Sequence, residues 1–187
     1  MIACLGWGSL VWDPRELPIQ GEWFKDGPIL PVEFARQSKD GRLTLVILPS
    51  EEGGTDVRTL WVPMSLSNIK DARIALSLRE GCTADHIGIW PHTNGKGDPM
   101  RANIEAWATR LNLEGVVWTA LPPKFNDEDD RAPTFDEAVQ YLRSLSHEKR
   151  RLAENYIRKT PLQVDTGYRR RFELEFGWKP QESHEGR

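Results

Sequence analysis

Leu5-Gly6-Trp7-Gly8-Ser9-Leu10 follows directly on the apolar run Ile2-Ala3-Cys4, and the reading of this stretch decides where the rest of the chain is placed. A short continuous apolar run closed by glycines reads as a buried strand passing into a turn. Glycine at 6 and 8 removes two Cβ atoms, which frees the backbone to take φ > 0 and lets a ligand approach its N–H groups closely. Successive N–H groups in such a turn make a nest that holds an anion or carboxamide without a charged side chain. The Ser9 hydroxyl can donate or accept beside them. Taken alone, the stretch is an ordinary strand-ending turn, and its chemistry depends on what the rest of the chain supplies.

Outward from that turn, Trp12 to Pro31 is punctuated by Pro14, Pro18, Pro28 and Pro31 and reads as a long surface excursion. Leu30 to Gln37 and Leu43 to Leu48 then read as two strands of a hairpin turned at Asp40-Gly41. Val57 to Val62, rich in branched and aromatic residues and closed by Pro63, is a further strand. Ser67 caps a predicted helix with Ile69, Ala72, Ala75 and Leu76 on one face and Gly81 just past its end, which sets Glu80 at the helix's C-terminal edge. Ile87 to Trp90 is a short apolar piece, His92 to Pro99 a glycine-containing loop, and Arg101 to Leu111 a helix. Gly115 to Leu121 reads as a buried strand stopped by Pro122-Pro123. An acidic loop, Asn126 to Arg131, follows. Thr134 with Glu137 has capping-box spacing ahead of an apolar stripe, and Ser146 to about Lys159 is a second helix. From Pro161 onward the pattern fits a helix or an extended segment, and the tail from Lys179 is polar and frayed.

The composition narrows the function classes. With 187 residues the chain is expected to be a single domain, and 39% hydrophobic with 28% charged residues excludes disorder and fibrous architectures. A net charge of −3 argues against a general nucleic-acid binder. No membrane span and no secretory leader are read from the sequence, so a soluble cytoplasmic protein is expected. Cys4 and Cys82 read as reduced packing residues, and the four histidines lack ligand spacing, so no metal is expected. The turn lacks the full glycine pattern of a dinucleotide site, and Ser9 lacks the flanking glycine of a hydrolase elbow. Strands early, helices in the middle, one late strand and a helical pair do not alternate as a doubly wound sheet does, and point to an α+β class.

Leu5-Gly6-Trp7-Gly8-Ser9-Leu10-Val11-Trp12-Asp13-Pro14 resembles the opening of the γ-glutamylcyclotransferase-like superfamily, including its ChaC-type members, where a strand leads into Tyr-Gly-Ser-Leu or Tyr-Gly-Ser-Asn. Phe34-Ala35-Arg36-Gln37 through Leu43-Thr44-Leu45-Val46 is similar to the second family segment, and Leu78-Arg79-Glu80-Gly81 to the segment carrying the family's catalytic glutamate. Tyr168 is a fourth match, to a tyrosine near the family's C-terminal end. Trp7 stands where the family has tyrosine, and the helical stretch from Thr134 to Lys159 is an addition to the smaller family core.

The resemblance implies a γ-glutamylcyclotransferase-like fold over 1–187: a curved mixed β-sheet or small barrel with flanking helices, with 134–180 a C-terminal helical extension packed on it. It implies a cofactor-free reaction in which the α-amine of a small γ-glutamyl compound attacks its own γ-carbonyl, forming 5-oxoproline and releasing an amine or amino acid. In that reading Glu80 moves the protons, Gly6, Trp7, Gly8, Ser9 and Leu10 frame the γ-glutamyl site, and Tyr168 orients Glu80. The plain alternative for Glu80 is a solvated helix-end carboxylate paired with Arg79, and Tyr168 fits an apolar stripe equally well. Two other functions stay open: a non-catalytic small-ligand binding or regulatory module on the same fold, and an interaction protein using Arg169-Arg170-Arg171 against an acidic protein or nucleic acid.

Overall fold

The computed structural model describes residues 1–91 and 99–181 of the chain. In chain order the elements are β1 (Ile2–Gly6), β2 (Ile29–Gln37), β3 (Leu43–Ile47), β4 (Thr55–Arg58), β5 (Leu60–Pro63), α1 (Ile69–Glu80), β6 (Ile87–Trp90), α2 (Pro99–Arg110), β7 (Gly115–Thr119), β8 (Lys124–Phe125), β9 (Glu128–Asp129), α3 (Phe135–Ser144), α4 (His147–Lys159) and α5 (Gly167–Phe176). The class is mixed α+β. The chain divides into two compact units that alternate along the sequence, Met1–Leu30 with Arg58–Leu121 and Pro31–Val57 with Pro122–Arg187.

Where one curved sheet or a small barrel was expected, the described residues form two mixed sheets and no closed barrel. One is four-stranded in the order β5-β1-β7-β6, and the other is five-stranded with the path β3-β2-β8-β9 and β4 also on β2. The physical reason lies at Thr59. The expected strand Val57 to Val62 is interrupted there, because the Thr59 N–H and hydroxyl both donate to Pro28 O and the Thr59 carbonyl accepts from Gly27 N. With its backbone groups taken by the preceding loop, Thr59 leaves the ladder. β4 and β5 then pair separately, β4 with β2 and β5 with β1.

In the first unit β1 is buried at all five positions, as its unbroken apolar run requires of a strand covered on both faces. It runs parallel to β7 and antiparallel to β5. Helix α1 lays Ala72 and Leu76, with Ile69 and Ala75 partly buried beside them, against Ile2, Cys4, Val62, Ile87 and Val117. Asn68, not Ser67, is its cap, accepting from Lys70 N at 2.8 Å. The expected surface excursion is partly an edge cover: Gln20 N donates to Pro63 O, Phe24 and Trp61 exchange both backbone bonds, and Phe24 stacks on Trp61 with ring centroids 4.6 Å apart. This shields the outer edge of β5 from further pairing.

In the second unit the hairpin β2–β3 turns at Asp40-Gly41, with Gly41 at φ 88°. The predicted capping box is formed: Thr134 accepts from Glu137 N while the Glu137 side chain accepts from Thr134 N. Phe34 of β2 meets Tyr156 of α4 and Phe172 of α5 edge-on. The segment from Pro161, open between helix and strand in sequence, is helical as α5. The acidic loop holds a small hairpin, β8–β9, because Asn126 and Asp127 both take positive φ (51° and 63°), the geometry of a tight two-residue turn. The loop expected over His92 to Pro99 lies outside the described residues except for Pro99, which opens α2, and the tail is described only to Gln181.

Candidate active site at the end of the first strand

The site grows from the last residue of β1. A Cβ built on Gly6 would stand 2.7 Å from the ring of Trp23, so glycine is required here for space rather than for a left-handed backbone. The chain then turns, with Val11 N donating to Gly8 O at 3.0 Å and Asp13 N to Ser9 O at 2.8 Å. The N–H groups of Gly8, Ser9 and Leu10 donate to no acceptor among the described residues, although Gly8 and Leu10 are buried. They are the open donors at the start of a tight turn in which none of Gly6 to Leu10 takes a positive φ.

The second half of the site is the end of α1. Gly81 takes φ 67°, and the N–H groups of Gly81 and Cys82 return to Leu78 O and Ser77 O, so the helix stops immediately after Glu80. Arg79 joins this end to the turn. Its Nη1 donates to Glu80 Oε1 at 2.8 Å, and its Nη2 donates to Asp13 O at 2.5 Å and reaches Ser9 Oγ at 3.4 Å. The pair is not the solvated one that a helix end suggests: the side chains of Arg79 and Glu80 are 6% and 17% exposed. Arg79 Nε is buried and has no hydrogen-bond partner among the described residues. Beneath them, burial first and the Glu80 charge second push the Cys4 thiol far above its ordinary value, with the Arg79 charge pulling the other way. Cys4 is therefore a neutral packing thiol and not a nucleophile.

Of the residues singled out from sequence, Gly6, Trp7, Gly8, Ser9, Leu10 and Glu80 all belong to the first unit, and Arg79 links Ser9 to Glu80 directly. Trp7 is 5% exposed and sits in the core. The partners of Tyr168 are other than Glu80. It lies in the second unit, where its hydroxyl donates to Pro133 O at 2.8 Å and its ring packs edge-on against Phe135. The group that holds Glu80 is Arg79. Sequence reasoning saw Arg79 only as a surface partner, and it missed the Trp23 ring over Gly6 and the Asp13 carbonyl. The one signal for them was adjacency, Arg79 to Glu80 in sequence.

A groove of about 580 Å³ runs along the outer side of α1, walled by Pro18, Leu66, Ile74, Ala75 and Leu78. It does not open on Glu80 or on the glycine turn. Arg79 is the residue it shares with them. Among the described residues no three His, Cys, Asp or Glu side chains come together as a metal site, and no helix is long and apolar enough to cross a membrane. Comparison of the chain with protein families, curated proteins and solved structures finds no match.

Proposed function

We propose that the protein is a cofactor-free cyclotransferase that converts a γ-glutamyl group to 5-oxoproline and releases the attached amine or amino acid. The observation that carries this reading is the buried bridge from Glu80 through Arg79 to Ser9, which sets a carboxylate beside a turn whose N–H groups are unspent. The order of the glycine turn, the hairpin and the Arg79-Glu80-Gly81 segment, similar to that of γ-glutamylcyclotransferase-like proteins, adds to it.

The chemistry asks for two things. The α-amine nitrogen attacks the γ-carbonyl carbon, the bond from that carbon to the leaving nitrogen breaks, and the proton lost by the attacking amine ends on the leaving amine. One carboxylate can take that proton and deliver it, a role worth about 10²–10⁴ in rate. The carbonyl oxygen gains negative charge as the ring closes, and preorganised N–H donors stabilise it by about 3 kcal/mol each. Glu80 is assigned the first task and the N–H groups of Gly8, Ser9 and Leu10 the second. Incubation with a panel of γ-glutamyl amino acids, γ-glutamylamines and glutathione should give 5-oxoproline, and Glu80→Gln should remove it. Equal turnover by the two proteins would overturn the assignment.

The same pair favours one other reading. An arginine and a glutamate fixed together beside open N–H groups also make a binding site that performs no reaction. Thermal stabilisation by a γ-glutamyl compound with no 5-oxoproline formed is the outcome that selects it.

A further inference from the structure

We propose that the outer face of α1 is the contact surface of a two-fold dimer, and that its occupant is the same face of a second copy of this chain. The proposal stands apart from the cyclotransferase reading, because it uses neither Glu80 nor the glycine turn. Asp71, Ile74 and Leu78 fall at i, i+3 and i+7 of α1 and share one side of the helix. Ile74 and Leu78 are 52% and 76% exposed, while Ala72 and Leu76 fill the core. One exposed aliphatic side chain is ordinary. Two on one stripe, beside the 580 Å³ groove that Pro18, Leu66 and Ala75 help to wall, make a ridge with a socket next to it. A two-fold contact uses the same patch on both subunits, so the patch must hold both halves of its own fit. The outer face of α1 holds both.

The charges around the groove complement themselves as well. The segment from Arg15 to Pro18 forms its second wall and runs against the direction of the helix. At one end the Asp13 carbonyl accepts from Arg79 in the last turn of α1, and Arg15 Nε donates to Asp13 Oδ2 at 3.3 Å. At the other end the Pro18 carbonyl accepts from Ser65 N and from the Ser65 hydroxyl, just ahead of the first turn. Exposed Arg15 and Glu16 therefore lie toward the C-terminal end of α1, and exposed Lys70 and Asp71 at its start. Each end carries one charge of each sign. When two copies meet with their α1 helices antiparallel about a two-fold axis, Asp71 of one falls at the Arg15 end of the other and Lys70 at the Glu16 end, twice over. Parallel helices would set Asp71 against Asp71 instead.

The test is the oligomeric state of the full chain, read by sedimentation velocity under reducing conditions over roughly 1–500 µM. A 12-residue helix, about 18 Å long, with one flanking loop is a small contact, so a monomer–dimer equilibrium with a micromolar Kd is expected. Leu78→Glu should raise that Kd about 30-fold or more, since the substitution enters the interface from both copies. Leu78 is largely exposed, so the urea midpoint should stay close to wild type. Asp71→Arg and Arg15→Asp should each weaken the dimer about 10-fold. Arg15 stands at φ 53°, a conformation that aspartate tolerates. The double variant should return Kd to within about threefold of wild type, a recovery that damage to the fold would not give. A chain that stays monomeric at the highest concentration overturns the proposal and leaves the groove to a small apolar ligand or a foreign helix. A dimer that Leu78→Glu leaves intact overturns it too, because its contact then lies on another face. Weakening by both single reversals without recovery in the double variant overturns the antiparallel pairing.

Discussion

The two compact units each withdraw a glutamate from most of the solvent, and they do so in opposite ways. Glu33 of β2 is 1% exposed and is met by four donors: Phe34 N and the Thr166 hydroxyl on one oxygen, the Thr55 hydroxyl and Tyr168 N on the other. Both hydroxyls are themselves fixed, because Thr166 Oγ1 accepts from Arg169 N and Thr55 Oγ1 accepts from Gly167 N. The carboxylate therefore caps the start of α5, where the helix dipole favours negative charge. Every lone-pair direction is used, and no donor is left for a ligand. Among the described residues Glu80 has one arginine, some exposure and three N–H groups without an acceptor at the other end of the bridge. A saturated carboxylate builds structure, whereas one with a single partner beside open donors leaves hydrogen-bonding capacity over.

The sharpest way to break this contrast is to exchange each carboxylate for its amide. Glu80→Gln should lower kcat for γ-glutamyl cyclisation by about 10²–10⁴ while the urea midpoint stays close to wild type. A large loss of stability with intact turnover would reverse the roles assigned to the two glutamates. Glu33→Ala should do the opposite, destabilising the protein by about 3 kcal/mol because two backbone N–H groups and two hydroxyls lose their acceptor inside the core. The remaining folded protein should keep its kcat. Equilibrium urea unfolding and steady-state rates on the same preparations measure both.

Next in size is the response to pH. Burial pushes the Glu33 carboxyl up from its ordinary value of 4.5, against the pull of the hydrogen bonds from Thr166, Phe34 N, Tyr168 N and Thr55. Because the folded protein holds this proton to higher pH than the unfolded chain, it binds more protons in the interval between the two values, and its stability falls as pH rises through that interval. The contribution is complete below 4.5 and gone above the raised folded value. Glu33→Gln does not titrate there. The stability gap between wild type and Glu33→Gln should therefore be widest at pH 4 and narrow as pH rises above about 4.5. A gap that widens with pH would mean that the four donors outweigh burial.

Much of the first unit was legible because its signals are local. Gly81 marks the end of α1, the apolar spacing of Ala72 and Leu76 marks its buried face, and the unbroken run at β1 marks a covered strand. Glu80 and the glycine turn were legible only through their order along the chain. What joins them was not. Arg79 acts because Asp13 returns over the helix end, and no pattern of residue types says where a proline-punctuated loop will lie. Thr59 is a strand former in a run of strand formers, and it breaks the strand only because Gly27 and Pro28 dock on it. Glu33 was invisible for the same reason: its hydroxyl partner Thr166 is 133 residues away. The capping box at Thr134 and Glu137, by contrast, needs four consecutive residues and was read correctly.

The smallest effect tests what fixes Glu80 in place. Two devices act on it, the left-handed stop at Gly81 and the bridge through Arg79 to Ser9 and Asp13. A Cβ on Gly81 would meet nothing within 4 Å, so Gly81→Ala introduces no clash and charges only the backbone conformation at φ 67°. That costs about 1 kcal/mol of stability. If the bridge positions the carboxylate, the helix end is held from outside and kcat should stay within about twofold of wild type, well under the 1.4 kcal/mol that a tenfold change requires. A tenfold loss of kcat with that small loss of stability would show instead that the helix stop sets the reach of Glu80 and that Arg79 follows it. The two results assign the register of the site to different segments, one to the loop carrying Ser9 and Asp13, the other to a single glycine.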